Sequence, residues 1–255
     1  MRRTLLKAVA VAGLAGLLAC ASAYALKAEI ENMVVSVTAS ISPPLLPARG
    51  NGPVEIESVT RIKTSDGSQP PVLSKLVFAF DKHGTIDTTG LPVCTKAKLA
   101  ETTTAVARKR CSGAIVGTGL GKADVRFPGR PARTVSSPLT FFNAPPDRGR
   151  PSLIAHAYEN VPVPKALLVP LTIERVQGGR YGFRVEIRLP DIAAGYGAAT
   201  LAQATLGKTW KRGGKTVGYT SAHCDSGRLQ VQGTLSFADG SFLPGTLTSP
   251  CRVDD

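Results

Sequence analysis

The chain has 255 residues, 43% apolar and 19% charged, a composition that supports a sizeable core and excludes bulk disorder. Its 26 glycines and 19 prolines, with aromatics at 5%, fit many short strands joined by tight turns. The formal net charge is +13, yet no dense basic run or nucleic-acid-binding motif accompanies it, so nucleic acid is not expected as a partner.

Residues 1–25 read as a signal peptide. Arg2, Arg3 and Lys7 form a basic start and Ala8–Ala19 an apolar run. The small-residue triplets Ala21-Ser22-Ala23 and Ala23-Tyr24-Ala25 follow. The run is shorter than the roughly 20 residues that cross a bilayer, so the mature chain, 26–255, is expected to carry no transmembrane span. Leu17-Leu18-Ala19-Cys20 also has the form of a lipobox, which would make Cys20 a lipidation site, and Arg2-Arg3 that of a twin-arginine signal. Cleavage at Ala23 or Ala25 and lipidation at Cys20 both stay open, and each leads out of the cell. Losing Arg2, Arg3 and Lys7 lowers the net charge to +10.

Taken in order, the mature chain alternates strand patterns with turn signals. Leu26–Ile41 is rich in β-branched residues and reads as a first strand, broken by Pro43, Pro44 and Pro47. Val54–Lys63 alternates strictly, and Val72–Phe80 is apolar enough for a central strand. A helix is expected over Thr95–Arg110: Thr95 can cap its start, and Arg108-Lys109-Arg110 suits its C-terminal dipole. Leu99, Thr103 and Val106 fall on one face of it. Ala114–Phe127 reads as a strand pair or one long bulged strand, with Gly117, Gly119 and Gly121 where backbones approach closely. Thr134–Asn143 is a strand, and Ala144–Pro151 reads as a linker where the domain could divide. Ser152–Glu159, Ala166–Val176, Tyr181–Leu189, Ala199–Thr209, Val217–His223 and Arg228–Ala238 follow as strands. Evenly spaced short strands of this kind suggest a single mainly β domain, an antiparallel β-sandwich with one short inserted helix.

Without Cys20, four cysteines remain: Cys94, Cys111, Cys224 and Cys251. An even number in an oxidising compartment implies two disulfides. Three pairings satisfy the count, and closeness in sequence favours Cys94–Cys111 and Cys224–Cys251.

Catalytic patterns are weak. Gly117–Lys122 fails the phosphate-loop spacing, because Val116 stands at the first glycine's position and Ala123 follows the lysine. His83 lies in a turn and reads as exposed; His156, on a strand, reads as facing solvent. His223-Cys224-Asp225 is the densest cluster of reactive types, but a nucleophilic Cys/His pair needs a reduced thiolate. Glu159, Glu174, Glu186, Asp191 and Asp239 lie on or near strands, and no spacing selects a hydrolytic pair. Trp210 with Tyr219 could begin a sugar platform; core packing is the plainer reading. Arg108–Arg110 and Lys208–Lys215 are the two basic concentrations.

The segments Gly90-Leu91-Pro92-Val93-Cys94, Cys111-Ser112-Gly113-Ala114-Ile115-Val116-Gly117-Thr118-Gly119, and Tyr219…Cys224 with Asp239-Gly240 resemble a group of uncharacterised secreted proteins from high-GC Gram-positive bacteria. The resemblance spans most of the mature chain and rests on scaffold residues. It implies a β-rich exported domain with an inserted, disulfide-closed helix, and no activity. The expectation is therefore a secreted or surface-attached protein, not an enzyme and without cofactor or metal. Its expected role is structural or binding, with anionic envelope polymers as candidate partners. The alternative is a hydrolase acting on envelope polymers.

Overall fold

The structure, a computed structural model, describes residues 24–254. Cys20 and the expected signal segment through residue 23 lie outside them. Twelve strands form one antiparallel sheet. They are β1 (Tyr24–Ile30), β2 (Met33–Ser42), β3 (Glu55–Thr64), β4 (Leu73–Asp81), β5 (Ile115–Val125) and β6 (Arg133–Asp147). The others are β7 (Arg150–Glu159), β8 (Lys165–Arg175), β9 (Tyr181–Arg188), β10 (Gly197–Leu206), β11 (Arg228–Phe237) and β12 (Phe242–Pro250). Their order around the sheet is β1-β2-β3-β10-β5-β6-β7-β8-β9-β4-β11-β12.

The protein is mainly β, as expected, but its hydrogen bonding does not divide into two facing sheets. Two non-local pairings make one continuous ladder: β10 lies between β3 and β5, and β4 lies between β9 and β11. The last strand then comes to rest beside the first, so the sheet curls almost closed. At this seam the Leu26 side chain occupies the space where Gly245 lacks one. Alternating polarity is common to sandwiches and barrels, so local sequence does not separate the two. The first expected strand is a hairpin, β1 and β2, in which Tyr24 and Ala25 pair with Ala39 and Thr38. The expected linker is also a hairpin, with Asp147 pairing with Arg150 between β6 and β7.

Inner and outer faces follow from the register. Leu153, Leu171, Val185 and Phe141 point inward and form one core cluster. Met33, Val35, Ile62 and Leu235 form a second inside the opposite end. Outward positions carry polar side chains such as Ser36, Thr38, Gln230 and Gln232. This is the reverse of a lipid-embedded barrel, which is apolar outside. Among the described residues no helix is long and apolar enough to cross a membrane.

Among the described residues, besides a short hairpin of Thr209–Arg212 with Lys215–Gly218, two elements lie off the barrel. The first is a plug at the end where β2 and β4 finish. It contains a three-stranded sheet of Gly52–Pro53, Thr220–Ala222 and Gly84–Ile86, and a parallel pair of Leu45–Pro47 with Arg252–Asp254. Leu91 and Tyr219 reach from this plug into the barrel core. The second is a helical cover, α1 (Lys96–Leu99) and α2 (Thr104–Arg110), packed on the outward residues Phe142 and Ile154. The single expected helix splits at Ala100–Thr103, where Glu101 takes a left-handed φ of 58°. The threonines are used as caps: Thr95 accepts from Lys98 N–H and Thr103 from Val106 N–H. The break resets the helical phase, so Leu99 and Ala107 are buried while Val106, expected to share a face with Leu99, is exposed.

The strand Ile115–Val125 is one bulged strand, with its register shift between Ile115 and Gly117. A side chain at Gly119 would overlap the Gln203 carbonyl oxygen of β10, whereas the nearest atom to one at Gly121 is 3.6 Å away. Gly119→Val is expected to cost about 1–3 kcal/mol in urea denaturation, since overpacking forces backbone shifts. Gly121→Ala should be near neutral. Equal midpoints for the two variants would show that the β5–β10 approach is not the constraint.

Candidate functional site

Both expected disulfides are present, each with Cα atoms 5.8 Å apart. Cys94–Cys111 closes the helical cover, its cysteines buried with Leu99, Ala107 and Phe142. Cys224–Cys251 closes the plug among Leu46, Val54 and Leu229.

The densest group of reactive side chains forms where two turns meet on the plug. Pairing of Thr220–Ala222 with Gly84–Ile86 carries one turn to the other, and His223 N–H donates to the His83 carbonyl at 3.1 Å. The two imidazoles meet edge to face with centroids 4.8 Å apart. His83 is 8% exposed, not free in a surface turn as expected. Its Nδ1 lies 2.9 Å from Asp81 Oδ1 and its Nε2 3.6 Å from Asp225 Oδ2. The closer approach lacks hydrogen-bond alignment, which makes it an electrostatic contact. Asp81 in turn accepts from Arg180 Nε at 2.9 Å and from the Gln230 and His83 amides at 3.0 and 3.1 Å.

His223 Nδ1 lies 2.7 Å from Asn51 Oδ1, and Asn51 Nδ2 donates to Thr85 Oγ1 at 3.0 Å. Because the amide oxygen can only accept, Nδ1 donates to it. A held imidazole beside carboxylates is raw material for a general base. Among the described residues, however, neither ring hydrogen-bonds to a serine, threonine or cysteine, and Cys224 is bridged. Among the same residues no group of three or more His, Cys, Asp or Glu is arranged to hold a metal ion.

The remaining candidates disperse. Glu174 pairs with Arg150, Glu186 with Arg184 and Arg188, and Asp239 accepts from Ser241. Glu159 is buried and pairs with Lys165 at 3.1 Å. Tyr219 is fully buried in the core cluster and Trp210 packs against it, so the pair is core and not a platform. Burial pushes the Tyr219 hydroxyl far above its ordinary range. The basic concentrations are partly consumed: Arg108 donates to Thr140 Oγ1, and Lys208 to the Gly113 carbonyl. Arg212 lies 2.6 Å from Asp87, and that hydrogen bond holds the Asp87 carboxyl below its usual range.

His156, expected to face solvent, is fully buried beneath the helical cover. Its Nε2 lies 3.0 Å from the Thr102 carbonyl oxygen and therefore donates to it, and its ring meets Phe142 edge to face. Burial lowers its pKa from the ordinary 6.5; the Thr102 carbonyl opposes this in part and the Arg108 charge reinforces it. The unfolded chain thus takes the proton first. The stabilising contribution is whole above the unfolded value and is lost as pH falls from there through the folded one. The thermal midpoint should fall on acidification below about pH 6.5, the unperturbed histidine value. His156→Gln keeps a donor but cannot titrate, and should flatten that fall; an unchanged pH profile would remove His156 as its cause.

The surface also carries two clefts. One, of about 500 Å³, runs between α1 and the β7–β8 hairpin and is lined by Lys96, Ala100, Glu101, Tyr158 and Lys165, among others. The other, of about 350 Å³, is lined by Glu57, Thr118, Gln203 and Thr205, among others. Neither includes His83 or His223. No family model, curated protein or solved structure matches this chain.

Proposed function

We propose that the chain is an exported, non-catalytic binding or structural module of the cell envelope or extracellular space. The observation carrying this reading is the pair of disulfides, one closing the helical cover and the other the plug beside an apolar-lined barrel. Such bridges persist in oxidising compartments. The signal-like start and the +10 charge of residues 26–255 support export and an anionic envelope polymer as partner. The test is a binding assay of the purified mature protein against isolated envelope fractions. Saturable, salt-sensitive retention is expected; no retention by any fraction, or a protein confined to the cytoplasm on fractionation, would overturn the reading. Fatty-acid metabolic labelling decides between lipidation at Cys20 and ordinary cleavage.

A second reading, a hydrolase acting on envelope polymers, is favoured by one observation, the grouping of Asp81, His83, His223 and Asp225. It requires soluble fragments to be released from envelope polymer by the wild type and not by His223→Ala. If fragments appear and depend on His223, the hydrolase reading replaces the first.

A further inference from the structure

We infer that the plug end of the barrel is a docking surface for an anionic phospholipid bilayer, engaged through lysines and arginines in its connections. This deepens the envelope reading above and rests on the export it proposes. Every pairing in the twelve-stranded ladder is antiparallel, so each connection between strands lies at one end of the barrel or the other. With the helical cover of 95–111 set aside, the plug-end connections are 43–54, 82–94, 112–114, 148–149, 176–180, 207–227 and 251–254. They carry nine lysines and arginines against Asp87, Asp225 and Asp254, a net of +6. The far-end connections are 31–32, 65–72, 126–132, 160–164, 189–196 and 238–241. They carry Arg126 and Arg130 against four acidic residues, a net of −2. Counting in the two terminal residues of each strand leaves +5 against −1. Internal pairing does not consume this charge. Arg180 and Arg212 pair with Asp81 and Asp87, but Arg49, Lys82, Arg148, Lys211, Lys215 and Arg252 are exposed and form no ion pair among the described residues.

Two features select a bilayer over a thread-like polymer. The first is spread. The six free cations stand in five separate connections around the end of the barrel, and a broad plane of headgroups meets more of them than one polymer strand does. Each cation brought close to an anionic bilayer raises affinity about fivefold. The second is where the chain enters. Tyr24 pairs with Ala39 near the finish of β2, so β1 begins at the plug end and residues 1–23 join the barrel there. A lipid anchor at Cys20 would stand three residues from β1, an extended reach of about 14 Å. A strand of 10 residues such as β2 spans about 33 Å, so that tether cannot turn the far end to the bilayer. Cleavage at Ala23 or Ala25 removes the tether and leaves the charge. Apolar exposure does not choose between the ends: Leu45 and Val253 at the plug end are matched by Val163 and Phe242 at the other. Docking is therefore electrostatic and reversible by salt.

The test sediments the purified mature protein, carrying no acyl group, with vesicles of phosphatidylcholine alone or mixed with phosphatidylglycerol. Binding to the mixed vesicles only is expected, with release at about 1 M salt, where the screening length falls to about 3 Å. Lys211→Gln with Lys215→Gln should weaken it by about tenfold or more, with circular dichroism unchanged. Arg49→Gln with Arg252→Gln should do the same, and serves in its place if the first pair fails to fold. Arg130→Gln with Arg133→Gln removes as much charge from the far end and should leave binding unaltered. No binding to the mixed vesicles, equal binding to neutral ones, retention at high salt, or equal weakening by the far-end pair would overturn the assignment. Retention on lipid-free envelope polymer without vesicle binding sinks the bilayer assignment and leaves the envelope reading standing. Vesicle binding by a protein that fractionation confines to the cytoplasm sinks export and leaves the docking surface.

Discussion

Asp81→Ala is expected to cost about 3–5 kcal/mol, the range for stranding one partner of a buried ion pair. The carboxylate is 4% exposed at the end of β4 and serves three donors from three separate segments. Arg180 precedes β9, Gln230 lies in β11, and the His83 amide opens the turn into the plug. Removing the acceptor leaves a guanidinium and two amides unsatisfied together. Asp81→Asn keeps one oxygen and should recover part of the loss. Asp225→Ala is the contrast, because its side chain is 66% exposed and lies 3.6 Å from His83. A surface change of that kind should stay within about 0.5 kcal/mol. Denaturant midpoints with unchanged slopes would measure all three. A loss below about 1 kcal/mol for Asp81→Ala, the value of an ordinary hydrogen bond, would show that the network is not cooperative. It would also return the His83–His223 group to consideration as a site held for chemistry and not for stability.

How much of this was legible in the sequence differs by scale. Strand alternation was readable because each strand buries one face, so β3, β4, β8 and β9 appear close to their expected limits. The disulfide partners were readable because each pair closes a short stretch of chain. The sheet's closure was not, because it depends on β10 and β4 inserting between strands remote in sequence. β12 escaped detection because Pro244 and Pro250 demote its pattern. As an end strand of the ladder it tolerates them, since one edge has no partner to disappoint. The imidazole pair was invisible for a related reason: His83 and His223 meet only through the plug sheet. His156 misled because strand alternation marks it as outward, and the sequence does not reveal that a helical cover lies over that outer face.

Converting Cys94 and Cys111 to serine is expected to destabilise the protein by about 3 kcal/mol, the entropic value of a loop of this length. The bridge spans 17 residues that contain both helices. Neither helix is stable alone: α1 has 4 residues and α2 has 7, well below the roughly 12–15 needed for a marginal helix in water. Their order comes from packing on Phe142 and Ile154 and from the bridge that pins both ends. Without it the cover should open more often than the barrel unfolds, because the barrel ladder does not pass through residues 95–111. Amide exchange should therefore accelerate across α1 and α2 before it does so in β6 and β7. His156 supplies an internal gauge. Its burial, and with it the acid sensitivity, depends on the cover being closed. The serine variant should thus lose part of the pH dependence along with its stability. A variant equally destabilised at Cys224 and Cys251 should keep that dependence, since the plug bridge lies among Leu46, Val54 and Leu229 instead. Uniform acceleration of exchange in cover and barrel alike would overturn this picture and make the cover one cooperative unit with the sheet it protects.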